Sequence, residues 1–243
     1  MKTRNRSNII NFVFIFLTTF LSSANAQEET VWDYPVKPGT EEWVKMDYYE
    51  KVKISQPPSK FMQEMKTSDL LDLCFYYPFN KTILLFNNPN DGFENVYKYS
   101  TVWQEFIERK DAFEFYKKHY ALSLEELNKI SEDNKRNNER FNQFFLEKLA
   151  SETLFINGLG LEDKKELMRL TLQRHLDKMH YPNEYSGFVY NSTLSVMIKI
   201  LESDGNNEGL KLKDFKEATE NEKVINPEYD NLIIEYSKKY ISK

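Results

Sequence analysis

The chain has 243 residues, 40% of them hydrophobic and 29% charged, with a formal net charge of −5. That is the composition of one or two folded domains and not of a disordered chain. Seven Gly and eight Pro exclude collagen-like and Gly-rich classes, and a single Cys excludes a disulfide scaffold or a Cys-cluster zinc site. The acidic balance argues against a general nucleic-acid binder.

The first 26 residues read as an export signal. Lys2, Arg4 and Arg6 form a cationic start, and a mainly apolar run follows from Ile9 to Leu21. Ala24-Asn25-Ala26 then supplies the small side chains of a signal-peptidase site, which places the cut before Gln27. The run is shorter than the roughly 20 apolar residues that span a bilayer. No later stretch approaches that length, so no transmembrane segment is expected after cleavage. The leader holds three of the 33 basic residues and none of the 38 acidic ones, so the chain from Gln27 carries 30 basic against 38 acidic residues, a charge of −8. The expected location is secreted or periplasmic. Cys74 is then a lone thiol in an oxidising compartment. Its neighbours Leu70, Leu71, Leu73 and Phe75 predict burial.

Residues 27–40 read as an extended arm, because Pro35, Pro38 and Gly39 forbid regular helix. Thr40-Glu41-Glu42 predicts a helix start, with acids near the positive end of the macrodipole. That helix is expected to reach about Ile54, before Pro57-Pro58. A second helix carries Leu70, Leu71, Leu73 and Cys74 and stops at Tyr77-Pro78. The apolar run Thr82–Phe86 fits a short helix as well as a strand. Asp91…Glu94, Asp111…Glu114 and Ser123…Glu126 each have capping-box spacing. The polar stretch Ser131–Glu139 predicts one long exposed helix between the apolar patches Leu127–Ile130 and Phe141–Leu149, since no Gly or Pro interrupts it, with a linker as the alternative.

Helical periodicity continues to the C-terminal end. One stripe joins Phe141, Phe144, Phe145 and Leu149. The next joins Leu161, Met168, Leu172, Leu176 and Met179. Leu194, Met197, Ile198 and Leu201 form another, and Tyr229, Leu232, Ile233, Tyr236 and Tyr240 the last. Most elements are too short to be stable alone, so tertiary packing must hold them. The 18 Phe and 15 Tyr suit that need. The expected fold is therefore all-α, one domain over residues 41–243 of stacked antiparallel helices. An armadillo- or HEAT-like α-solenoid is the favoured form, and an irregular helical bundle the alternative.

Asp33-Tyr34-Pro35-Val36-Lys37-Pro38-Gly39-Thr40-Glu41-Glu42-Trp43 follows the export signal. Ser68-Asp69-Leu70-Leu71-Asp72-Leu73-Cys74, Tyr77-Pro78, Asp91-Gly92-Phe93-Glu94, Phe106 and Arg109-Lys110-Asp111-Ala112 come after it. Over roughly Asp33 to Tyr120 the chain resembles an uncharacterised family of secreted bacterial all-helical proteins. The resemblance implies an exported helical domain and carries over no catalytic residue.

Specific chemistries find little support. Asp204-Gly-Asn-Asn-Glu-Gly209 matches the first half of a calcium loop, yet Phe215 stands where the bidentate carboxylate belongs. A polar turn is the expected role. His175 and His180 are five residues apart and do not form H-E-x-x-H. His175 reads as a packing His, and His180 as a helix-end residue favoured by the dipole. No G-x-S-x-G or P-loop occurs, and Gly158-Leu-Gly160 reads as a helix-to-helix turn. A Cys74–His119 pair has no signature around it. Trp32, Trp43 and Trp103 are expected mainly in the core, with a peptide or glycan groove as the alternative. No catalytic, cofactor or metal residue is nominated. The expected function is an exported binding or scaffold protein, its ligand a protein or peptide and not nucleic acid. The alternatives are an exported hydrolase with dispersed carboxylates and a periplasmic inhibitor or protective factor.

Overall fold

The structure is a computed structural model that describes residues 32–185, 187–206 and 227–243. The predicted leader lies outside the described residues. The chain divides into two compact units, one up to Ser55 and one from Gln56.

In the first unit, residues 32–40 form bends and turns, with Tyr34 and Val36 buried. Thr40 caps helix α1 (Glu41–Lys45), its hydroxyl accepting from the Trp43 amide. The single helix expected to reach Ile54 is instead two. Met46 is extended, and Asp47 starts α2 (Tyr48–Ile54) with a capping box to Glu50. Two amides satisfied reciprocally at Asp47 outweigh helix continuation through a sequence that contains no Gly or Pro.

The second unit is all-α among the described residues. It begins with α3 (Ser59–Glu64), α4 (Thr67–Phe75), a 3₁₀ helix (Asn80–Leu85), α5 (Pro89–Tyr99), α6 (Thr101–Glu108) and α7 (Ala112–Tyr120). It continues with α8 (Leu124–Asn128), α9 (Asp133–Ala150), α10 (Thr153–Asn157), α11 (Leu161–Met179), α12 (Gly187–Ser203) and α13 (Pro227–Ser242). The apolar run at Thr82–Phe86 is thus the 3₁₀ helix and the residue after it.

The capping predictions divide. Ser123 and Glu126 form the expected reciprocal box at α8. Asp91 does not start a helix. Asn88 caps α5 and Pro89 opens it, which leaves Asp91 in the first turn. Proline at the first helical position is preset in φ and gives up an amide that would be unpaired there anyway. Asp111 occupies an N-cap position, but its carboxylate accepts from the Thr67 hydroxyl at 2.8 Å instead. The polar stretch after Ser131 joins α9 at Asp133, and α8 has ended before it.

Helix α9 packs against α5, α7, α8, α10 and α12 and so joins the two halves of this unit. An aromatic cluster holds its inner face. Phe145 stacks on Trp103 at 4.8 Å and packs against Phe93 at 5.0 Å. Trp103 is fully buried, as expected, and its indole N–H donates to Asn80 Oδ1 at 3.0 Å. Asn80 in turn donates to the carbonyls of Cys74 and Phe75, the last turn of α4.

That motif recurs. Short helices end in carbonyls without intrahelical partners. Arg109 donates to the Met62 carbonyl at 2.7 Å at the end of α3. Gln104 donates to the Tyr97 and Lys98 carbonyls at the end of α5. Arg174 donates to the Tyr120 carbonyl at 2.7 Å and to that of Leu122, past the end of α7. Helix α12 closes differently, with Gly205 at φ +66°. The Asn206 amide reaches the Leu201 carbonyl at 2.8 Å and the Gly205 amide reaches Glu202 at 3.1 Å, a Schellman end.

Helix α5 approaches the 3₁₀ helix so closely that a Cβ on Gly92 would lie 2.7 Å from the Ile83 carbonyl oxygen. Backbone cannot yield there as a flexible side chain does. Gly92→Ala is therefore expected to destabilise the protein by about 1–3 kcal/mol, despite alanine's better helix propensity. Chemical denaturation of the two proteins measures this.

Candidate functional site

Cys74 is fully buried, and burial pushes its thiol well above its ordinary range. His119 lies 4.0 Å from Asp72 and packs edge-on against Phe75. The Gly158-Leu-Gly160 segment is the turn between α10 and α11, as expected. His180 sits just past α11 with its Nδ1 at 2.9 Å from the Leu176 carbonyl. Asp204 takes the Lys164 ammonium at 2.6 Å and the Tyr240 hydroxyl. Gly205 and Asn206 close α12, and the calcium-like loop from residue 207 on lies outside the described residues. Among the described residues, no group of three or more His, Cys, Asp and Glu is placed to hold a metal ion.

Helix α11 holds the main departure from the sequence reading. The apolar stripe predicted there has exposed ends, Leu161 at 56% and Met179 at 44%. Its members Met168 and Leu172 are buried, but the buried face also carries Lys164, Thr171, Arg174, His175 and Lys178 beside Leu167. At 100° per residue that face is rotated roughly a quarter turn from the predicted stripe. Two polar clusters result.

The first centres on Glu147 of α9 and Lys178 of α11, 2.7 Å apart and 1% and 2% exposed at their side chains. Glu147 Oε1 accepts from the Tyr120 hydroxyl at 3.1 Å, and Oε2 accepts from Ser192 of α12. Lys178 also donates to the Val189 carbonyl at 2.7 Å and to Ser192 at 3.3 Å. Burial lowers the Lys178 pKa, and Glu147 opposes that shift. Arg174 adds a second buried cation, held by Gln143 at 3.2 Å as well as by the α7 carbonyls. Gln143 completes the chain by donating to the His119 carbonyl at 2.9 Å.

The second cluster has the outline of a hydrolase triad. His175 Nδ1 lies 2.8 Å from Thr193 Oγ1, and Nε2 lies 2.8 Å from Asp230 Oδ1. Asp230 also accepts from the Tyr190 hydroxyl. Thr193, however, directs its hydroxyl to the Tyr190 carbonyl at 2.9 Å. The hydroxyl thus has the Tyr190 carbonyl beside it as well as the ring. His175 and Thr193 are both 0% exposed, so a substrate does not reach the hydroxyl. The cluster instead ties α11, α12 and α13 together. His175 is a packing residue as expected, but fully buried and hydrogen-bonded on both sides.

A cavity of about 10 Å³ opens beside the first cluster, room for one water-sized occupant. Leu124, Leu127, Phe144 and Val189 form its apolar wall, and Arg140, Arg174, Lys178, Glu147, Gln143 and Tyr185 its polar one. The chemistry available there is charge stabilisation of something small. Comparison with protein families, curated proteins and solved structures finds no match.

Glu147→Ala leaves Lys178 buried without its counter-charge, an omission that costs about 3–5 kcal/mol. Glu147→Ala is thus expected to lower the urea midpoint far more than Glu162→Ala at an exposed ion pair. The acid limb has a separate origin. Burial raises the Asp230 and Asp204 pKa values, but hydrogen bonds from His175 and Tyr190, and from Lys164 and Tyr240, hold both below the ordinary carboxylate range. A carboxylate with a depressed folded pKa binds fewer protons folded than unfolded. Its stabilisation is complete above the unfolded value, about pH 4, and is lost as pH falls through the lower folded value. Asp230→Asn and Asp204→Asn should therefore lower stability at pH 7 and flatten its decline between pH 4 and pH 2, read by urea titration at each pH.

Proposed function

We propose that the protein is an exported helical binding or scaffold protein that engages an apolar segment of a protein or peptide partner through the surface around the 3₁₀ helix. The single observation that carries the reading is the run Leu84-Leu85-Phe86, exposed by 38%, 67% and 38%. Three consecutive exposed apolar side chains are costly to solubility and are retained where a surface has work to do. The contrast with the interior supports this. The Glu147–Lys178 and His175–Asp230 pairs are buried, while Leu84, Leu85 and Phe86 stand outside. Export rests on the leader pattern of residues 1–26, and no helix among the described residues is long and apolar enough to cross a membrane.

The test places a photo-crosslinking residue at position 85 of the full chain, with position 162 as the exposed control, in the organism's own exported fraction. A covalent adduct to a distinct protein at position 85, lost when Leu84→Asp is added, is the expected result. Equal adducts at both positions, or an adduct only to a second copy of the chain, overturn the binding reading. The intact mass of the recovered protein tests export separately. It should correspond to a chain beginning at Gln27, and a chain retaining Met1 overturns that part.

A further inference from the structure

The cavity beside Glu147 and Lys178 has a charge that its own lining does not balance. Arg140, Arg174 and Lys178 line it, against Glu147 alone. Lys178 is paired with Glu147 at 2.7 Å, and Arg140 with Glu184 on the outer side. Among the described residues Arg174 has no carboxylate within salt-bridge distance. Its hydrogen bonds go to Tyr120, Leu122 and Gln143, all neutral acceptors, and the residue is 4% exposed. A desolvated guanidinium without a counter-charge is costly unless an anion lies near.

Two donors at the same cavity are also unused. Tyr185 is 6% exposed, and its buried hydroxyl has no hydrogen-bond partner. The Arg140 Nε–H is likewise buried and without one, although the other end of that guanidinium holds Asn128 at 2.7 Å and Glu184. The Arg140 guanidinium carbon lies over the Tyr185 ring, 5.7 Å from its centroid. Lys178 Nζ lies 6.0 Å from the same ring. An orphaned buried donor costs about 1–3 kcal/mol, so two at one cavity point to an acceptor.

We infer that this cavity binds one halide-sized monovalent anion, chloride in physiological media, between the Tyr185 hydroxyl and the Arg140 Nε–H. Its small volume, about 10 Å³, favours a single-atom ion over phosphate, sulfate or a substituted carboxylate. The excess positive charge favours an anion over a neutral water. Glu147 does not repel the guest strongly, because Tyr120, Lys178 and Ser192 already engage its oxygens. The anion closes a charge balance among α8, α9, α11 and the segment after α11, and so holds α8 in place. This inference is independent of the partner-binding surface.

The test measures the thermal midpoint of the full chain as sodium chloride or bromide replaces sodium gluconate at constant ionic strength. A ligand that binds only the folded state raises the midpoint with its concentration. The expected result is a saturable rise in both halides. Tyr185→Phe removes a hydroxyl that bonds nothing else, so it keeps the far-ultraviolet spectrum and the gluconate midpoint but weakens apparent halide affinity about tenfold or more. Arg140→Lys keeps the charge, removes Nε–H and should act likewise. In a bromide-soaked crystal an anomalous peak is expected between Tyr185 and Arg140. Equal midpoints in halide and gluconate overturn the inference, as does a halide response unchanged in both variants. A bromide peak with no effect in solution marks an adventitious ion only and overturns it too.

Discussion

The constraint on which this structure turns is the supply of donors to helix ends. A chain cut into many short helices leaves many carbonyls without intrahelical partners, and burial makes each of them costly. Here side chains supply the donors, two from the element that follows the helix and two from far along the sequence. Asn80 closes α4, Arg109 closes α3, Gln104 closes α5 and Arg174 closes α7. Each contact satisfies a carbonyl and at the same time docks one helix onto another. Local termination and tertiary assembly are therefore the same event, which is how helices of five to nine residues persist in this unit.

Arg174 shows the price of that arrangement. Its guanidinium must enter the interior to reach the end of α7, and it brings a full charge with it. Glu147 lies nearby but is engaged by Lys178, Tyr120 and Ser192. The interior polar cluster thus follows from the capping requirement. The same logic operates near the C-terminal end, where Asp230 and Asp204 fasten α13 to α11 and α12 through His175, Tyr190 and Lys164. Each of those carboxylates has both a hydroxyl and a nitrogen partner.

Much of the helical framework was legible because it is written in local patterns. The Ser123–Glu126 box, the stop before Pro78 and the apolar face of α12 depend on residues within one or two turns of each other. The break at Met46 was hidden, because Asp47 and Glu50 look like ordinary polar residues of a continuing helix. Asp91 misled for the opposite reason: the spacing to Glu94 fits a box, but Asn88 and Pro89 start the helix first. The polar clusters were illegible. Lys164, Arg174 and Lys178 resemble a solvated face, and their partners stand at Asp204, Tyr120, Glu147 and Ser192, tens of residues away. One trace was present. Lys164, Thr171, His175 and Lys178 keep helical spacing with Leu167 and Met168, so the buried face has a period although most of it is polar.

The burial of Cys74 has a practical corollary. The chain holds one cysteine, and it is fully buried on α4. An alkylating reagent reaches its sulfur only when α4 lifts from the helices packed on it, α6 and α7 among them. The rate of modification therefore clocks the opening of the structure around α4 under native conditions, without any introduced label.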